Sequence, residues 1–308
     1  MYPIAPSHPN YSSSGTSKFI PEIWSGKLLV KFYMSTVFGE IANTDYEGEI
    51  KNYGDKVIIR TTPDITINDY VIGQNLVYQR PESTPVELLI DKGKYFAFTC
   101  DDVVAYQSDL KLLDDWSDDA AEQMKIKIDA EILSSVYADV SSYNKGATAG
   151  KDSGSINLGT SGSPYQVTKT NVLDILVDCG TVLDEQDIPE QNRWIVIPPW
   201  FAGLIKKSDL KDASITGDGT SVLRNGRLGM IDRFTLYTSN NLYTATDGAE
   251  TAFYVLFGHK SAISFASQMT KVETLRAEST FGDLVRGLNI YGFKVLKPEA
   301  IGLLYCYK

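Results

Sequence analysis

Cysteine, histidine, an excess of basic charge and long apolar runs are all missing or scarce in this chain. The three cysteines, Cys100, Cys179 and Cys306, form no C-x-x-C pair and no even set, so a disulfide framework is not expected and a reducing, cytosolic compartment is the simplest setting. The two histidines, His8 and His259, stand far apart, and no His/Cys spacing of a zinc site is present. No apolar stretch approaches the ~20 residues that span a bilayer. The opening MYPIAPSHPNYSSSG lacks a basic region followed by an apolar one, so neither a membrane anchor nor a cleaved secretion signal is expected. A net charge of -10 with a pI near 4.8 argues against a surface that grips nucleic acid by releasing counterions.

What is present is enough apolar material for a real core, 43% of 308 residues, sized for one large domain or two ordinary ones. Motifs that carry chemistry fail on inspection. GDGTSVLRNG offers Gly217 and Gly219 but has Val222 where a dinucleotide-binding loop needs its third glycine, and no Lys-Ser/Thr ending makes it a P-loop. Gly159 to Gly162 lacks the final glycine of a nucleophile elbow. Cys179 falls on the apolar face of a helical pattern, the setting of an inert thiol. The acids Asp184, Glu185 and Asp187 could serve as paired carboxylates for acid-base work, but they read better as the solvated end of a helix with Arg193 neutralising them across the turn. The Asp pairs at 101/102, 114/115 and 118/119 read as helix starts and solvated faces. No catalytic residue, cofactor or metal is expected.

Along the chain, Met1 to Phe19 is rich in Pro, Ser, Gly and Tyr and lacks the spacing needed to bury a face. Trp24 to Val37 has the three- and four-residue steps of a short amphipathic helix. Between Tyr46 and Cys100 the period becomes two: Val57 and Ile59, then Ile65 and Ile67, then Val86, Leu88 and Ile90, then Phe96, Phe98 and Cys100 predict half-buried strands. Pro81 and Pro85 place the middle of this segment at an edge or in a projecting loop. An isolated ribbon is marginal in water, so such a loop is expected to rest on another subunit. Ala120, Met124, Ile128, Ile132, Val136 and Val140 then predict a long helix over 117–140, started by Ser117. SSYNKGATAGKDSGSINLGTSGSPY marks a seam or mobile loop. A helix over 171–184, a strand from Trp194 to Ile197 and a helix opening at Pro199 follow. Beyond the turn-rich KDASITGDGTSVLRNGRLGMID, strands are expected around Phe234–Tyr237 and Ala252–Phe257, and alternation resumes from Ser261 to Lys308. The class is α+β, with helices segregated from strands.

Read in order, LDEQDIP, NRWIVIPPWFAGLI, NGRLGMIDRFTLYTSNNL, GHKSAISFASQ and KVETLRAESTFGDLVRGLNIYGFKVLKPEA resemble the major capsid proteins of tailed bacteriophages, of the Hong Kong 97 fold, over roughly residues 20 to 300. In the first half, YEGEIKNYGDKVIIRTTPDITINDY and LLIDKGKYFAFTCDDV are similar to the extended loop of that family. The resemblance implies an N-terminal arm (1–46), an extended loop (47–99), a peripheral domain (100–162 and 269–308) around a spine helix (117–140), and an axial domain (163–268). It implies self-assembly into pentamers and hexamers of an icosahedral virion capsid that encloses double-stranded DNA without sequence-specific binding, built in the host bacterial cytoplasm. A separate scaffolding protein and a portal protein are the implied partners, with a decoration or cement protein as an optional third. Lys56, Arg60, Tyr70, Tyr78, Arg80 and Glu82 in the loop, and Asp184, Glu185, Asp187 and Arg193 in the helix-to-strand joint, are the candidate subunit-interface residues. The resemblance singles out no lysine of Lys51, Lys56 and Lys92 for a covalent cross-link. An encapsulin-like cellular shell, a β-rich adhesin or carbohydrate-binding module, and more remotely a hydrolase using His259, are the alternatives.

Overall fold

The computed structural model describes residues 36–45, 56–60, 63, 65–82, 85–101, 112–208, 229–277 and 281–308. The expected arm up to residue 35, most of the helix expected from Trp24, Lys51, and residues 209–228 of the turn-rich loop lie outside the described residues.

After a single turn of helix, α1 (Phe38–Ile41), strands β1 (Lys56–Arg60) and β2 (Pro85–Leu89) form an antiparallel two-stranded ribbon, with Lys56 opposite Leu89 and Arg60 opposite Pro85. Residues 65–82 between them adopt no strand, and the only turn there is at Ile72–Gly73. The strand expected through Ile65 and Ile67 is therefore absent. Its alternation has no partner ladder among the described residues, and alternation alone does not hold a strand in water. The two arms of this loop are instead tied by the Gln79 amide, whose Oε1 accepts from Thr66 N (3.1 Å) and whose Nε2 donates to Thr66 O (3.3 Å).

Strand β3 (Lys92–Asp101) leads to the long helix α2 (Leu112–Ser135), 24 residues, which starts five positions before the expected 117 and gives way to a 3-10 turn at Val136–Asp139. Ser117 thus lies inside the helix and not at its start. Asp115 still lies in its first turn, where the helix dipole favours it. The far end tightens because the Ser134 and Ser135 hydroxyls both donate back to the Glu131 carbonyl (3.0 and 2.7 Å) and so compete with the regular ladder. The buried stripe is the expected one: Ile128, Ile132, Val136 and Val140, widened by Leu133.

Then come β4 (Tyr165–Gln166), α3 (Val172–Asp184), β5 (Arg193–Ile197), α4 (Pro199–Lys207), β6 (Met230–Ile231), β7 (Phe234–Thr238), β8 (Thr244–Asp247), β9 (Glu250–His259), β10 (Ile263–Arg276), β11 (Gly282–Val295) and β12 (Ile301–Tyr307). A seven-stranded mixed sheet has the order β4-β12-β9-β5-β7-β6 with β8 against β9, and a three-stranded antiparallel sheet has the order β10-β11-β3. β5 and β7 are parallel neighbours joined through α4, so one crossover unit sits inside an otherwise α+β arrangement. Asp232 and Arg233, both in the left-handed region (φ 44 and 66), make the two-residue turn between β6 and β7. The Gly/Ser-rich stretch from 141 to 165 is packed rather than strung out: Ala149 and Leu158 are buried, and the buried Asn144 amide donates to the Glu299 and Ile301 carbonyls (2.6 and 2.9 Å). One continuous apolar cluster runs from Ile128 and Leu133 of α2 through Leu176 and Cys179 of α3 to Ile195, Phe257 and Leu304 of the large sheet.

Candidate subunit interface

The loop between β1 and β2 is the most apolar exposed surface among the described residues. Ile67, Ile72 and Tyr78 are 89%, 94% and 88% exposed, and Ile65, Tyr70, Val71, Leu76 and Val77 are exposed beside them. Surfaces of this kind mark contact sites, and each such side chain covered by a partner contributes about 1.5–3 kcal/mol. Of the sequence candidates, Tyr70, Tyr78, Arg80 and Glu82 lie on this loop and are exposed, and Arg60 is exposed at its base. Lys56 is half exposed and paired with Glu87 across the ribbon at 3.1 Å.

Two devices hold the root of the loop on the body. Leu88 and Ile90 pack with Ala266 in a small separate core, flanked by Val57, Ile59 and Ile290. Gly292 of β11 makes this seat, since a Cβ there would run into the Leu89 carbonyl and the Ile90 backbone. Beside it, Glu131 of α2 meets Lys92 Nζ at 2.8 Å, Lys94 Nζ at 2.6 Å and the Tyr291 hydroxyl at 2.9 Å. Burial alone would raise its pKa, but the hydrogen bonds from Lys92, Lys94 and Tyr291 outweigh it and hold the carboxyl at about 2, against an ordinary 4.5. Lys92 also lies over the Phe293 ring at 4.6 Å.

A third junction is built on Asp129, fully buried on α2. Its Oδ1 accepts from the backbone N–H groups of Val37 (3.0 Å) and Phe38 (2.9 Å), and its Oδ2 accepts from Asn241 Nδ2 (2.7 Å). One carboxylate thus ties the start of α1, the long helix and the loop after β7. Burial raises its pKa despite these three donors. Sequence reasoning passed over both Glu131 and Asp129. The available signal was an acid at 129 inside the stripe 128-132-133-136, where a buried charge must have partners.

In the helix-to-strand joint, Asp184 and Arg193 find partners within the subunit. Arg193 is buried and its Nη2 donates to Asp184 Oδ1 at 2.7 Å, while its Nε donates to the Pro189 carbonyl at 2.9 Å. Asp184 Oδ2 takes a second guanidinium, Arg233 Nη2 at 2.8 Å, and Arg233 Nη1 reaches Glu190 at 2.7 Å. Desolvation opposes ionisation of Asp184, but the two guanidinium groups prevail and its pKa is lowered. Glu185 accepts from the backbone N–H groups of Asp152 and Ser153 (2.8 and 3.2 Å), which organises the Gly/Ser-rich loop. Asp187, left-handed at φ 56, makes the turn. The structure therefore brings Asp184 and Arg193 together within one subunit and sets Glu185 apart from them. Arg233, which completes the cluster, had no sequence signal, because Asp-Arg is not a hairpin dipeptide. The left-handed Arg233 is offset by its ion pairs with Asp184 and Glu190.

Among the described residues no group of three His, Cys, Asp or Glu could hold a metal ion, and no helix is long and apolar enough to cross a membrane. All three cysteines are buried, and desolvation raises the thiol pKa of Cys179 and Cys306. His259 is held against Ser261 at 2.8 Å, and burial lowers its pKa.

A family model described as phage capsid protein matches residues 84–304. Among solved structures, the chain is similar to a chain of Mycobacterium phage Che8, with 27% identity over 92% of this chain and 96% of that one and a TM-score of 0.75. It resembles the capsid of the cyanophage P-SCSP1u at 15% identity, covering 98% of each chain with a TM-score of 0.72. It also resembles the mature capsid of bacteriophage PhiM1 at 13% identity, covering 97% of each with a TM-score of 0.67. No curated protein matches the chain. The Hong Kong 97-like fold expected from the sequence is the fold of these neighbours, and the matches favour neither the cellular shell nor the β-rich binding module.

Proposed function

The chain belongs to the phage capsid protein family and is a major capsid protein that forms the shell; from that premise we propose how it does so. The exposed apolar loop over residues 65–78 carries the reading, because a surface of that composition is stable only when a neighbour covers it. Head-to-tail contacts of this kind close into rings when the rotation closes, and the rings proposed are pentamers and hexamers of an icosahedral shell. Residues 1–46 act as the arm, 47–99 as the extended loop, 100–162 with 269–308 as the peripheral domain around α2, and 163–268 as the axial domain. In this division Tyr70, Tyr78, Arg80, Glu82, Lys56 and Arg60 contact the adjacent subunit. Asp184, Glu185 and Arg193 keep the axial domain rigid, and Asp187 presents its turn to a neighbour. The net charge of -10 suits a container that encloses DNA without holding it. A separate scaffolding protein and a portal are the proposed partners, a decoration or cement protein an optional one, and the host bacterial cytoplasm the place of assembly. The role is structural and non-catalytic.

Negative-stain electron microscopy with sedimentation velocity tests this, on the wild-type chain and on Ile72→Asp, each co-expressed with its scaffolding protein. Shells or capsomer rings are expected from the wild type, and a folded, monomeric subunit from the variant. Wild-type chain that stays a compact monomer with its scaffold, or an Ile72→Asp chain that still builds shells, overturns the reading.

A further inference from the structure

Strand β10 lies at the margin of the three-stranded sheet, with β11 on one side and, beyond residue 269, no strand among the described residues on the other. A bulge between Ser267 and Met269 shifts its register against β11. Past the bulge, Ala277 N donates to the Gly282 carbonyl at 3.0 Å, so the odd positions 271, 273 and 275 turn their N–H and C=O toward β11. By the alternation of antiparallel ladders, Thr270, Val272, Thr274 and Arg276 turn theirs outward. An open edge of this length is a pairing template, and natural sheets blunt such edges with bulges and charges or cover them. Alongside its bulge and charges it carries exposed apolar side chains, Val272 at 59% and Leu275 at 43% exposure.

The order of residues on this edge is self-complementary. We propose that two copies of the chain pair antiparallel along β10, about a two-fold axis through Val272, joining subunits of adjacent rings; this rests on the shell-forming reading above. In that register Val272 faces its own copy and Lys271 faces Glu273 of the second copy, with the reciprocal pair on the other side of the axis. Each of these is a favourable cross-strand pair. The neighbouring registers lack this property: centred on Thr270 the edges set Glu273 against Ser267, and centred on Thr274 against Leu275. Within one subunit Lys271 already meets Glu273 Oε1, while Arg286 holds Oε2 at 2.6 Å. Pairing exchanges each Lys271–Glu273 contact along a strand for one across the axis, and Arg286 keeps the second oxygen. An isologous contact joins subunits two by two, which is the kind of link between rings that head-to-tail contacts within a ring do not provide.

The test uses shells of Lys271→Cys/Glu273→Cys, oxidised and run on a denaturing non-reducing gel. Positions 271 and 273 form the narrow, non-hydrogen-bonded kind of pair, within disulfide reach, and the native cysteines are buried. Most of the chain is expected as covalent dimers with no larger species. A ladder reaching five or six chains assigns this edge to a contact within rings, and monomers alone assign it to another cover, such as residues 46–55 of the same chain; either overturns the proposal. If the double variant makes no particles, Lys271→Glu and Glu273→Lys decide the matter. Alone, each sets like charges across the axis and is expected to lower shell yield about tenfold; co-expressed, they set opposite charges across it and are expected to restore most of that yield. The pairs along each strand stay repulsive in the mixture, so a contact internal to the subunit is not rescued, and absence of rescue overturns the pairing. Wild-type shells without dimers or rescue remove the edge contact alone, whereas a wild-type chain that builds no shell removes the shell-forming reading itself.

Discussion

At the scale of single residues, two acids on α2 set the relation between the loop, the first helix and the body. Glu131 holds two lysine ammonium groups, so Glu131→Gln leaves them repelling each other with a weaker acceptor between. Because the cluster is partly solvated, a cost of about 1–2 kcal/mol is expected, read as a melting point lower by a few degrees. The sign of the pH effect follows from the pKa being lowered from 4.5 to about 2. The stability from Glu131 is fully present above pH 4.5 and is lost as pH falls toward 2. Melting curves between pH 6 and 3 are expected to bring wild type and variant together on acidification, and a constant gap refutes the assignment. Asp129 is a different case, since its raised pKa means that its ionisation costs stability as pH rises, and its value lies in satisfying three donors. Asp129→Ala orphans all three and is expected to cost 3 kcal/mol or more. Asp129→Asn sets an amide N–H₂ against that of Asn241, and adding Asn241→Asp is expected to recover much of the loss in chemical denaturation; no coupling between the two sites would refute the contact. The sequence announced neither acid's role. An acid in an apolar stripe is legible, but its partners at Val37 and Asn241 lie 92 and 112 positions away.

At the scale of elements, the root of the loop depends on close approach as much as on charge. Gly292→Ala places a methyl group against the Leu89 carbonyl, and the backbone there has to move. A cost of about 1–3 kcal/mol is expected, with faster hydrogen exchange confined to β1, β2 and their contacts on β11. Unchanged exchange in the ribbon, or loosening that reaches β9 and β12, refutes the seat. The elements themselves were legible where periodicity and burial agree: the stripe of α2, the face Val172, Leu176, Cys179 and Leu183 of α3, the wholly buried β5, and Pro199 opening α4. They were illegible where local signals compete. Ser117 stood in cap position by sequence, yet the helix begins earlier, at Leu112. Ile65 and Ile67 alternate as in a strand, but alternation reports a face to be buried and not what buries it. The crossover from β5 to β7 was hidden because short strands and a nine-residue helix look alike in α+β and α/β sequences.

At the scale of the whole molecule, assembly has to bring together subunits that each carry -10, while the attraction offered by residues 65–78 is largely apolar. Repulsion between such bodies falls off over about 10 Å at 0.1 M salt and about 3 Å at 1 M, whereas the apolar contribution is not screened. Raising salt therefore removes the opposing force and leaves the favourable one. The onset concentration for assembly, followed by light scattering, is expected to fall several-fold between about 0.05 and 0.5 M sodium chloride. Ile72→Asp is expected to stay unassembled across that range, since it removes the apolar contact and adds a charge to each subunit. If assembly instead weakens steadily with salt, ion pairs and not the apolar loop carry the contact between subunits. The loop residues Lys56, Arg60, Arg80 and Glu82 then become the ones to replace first.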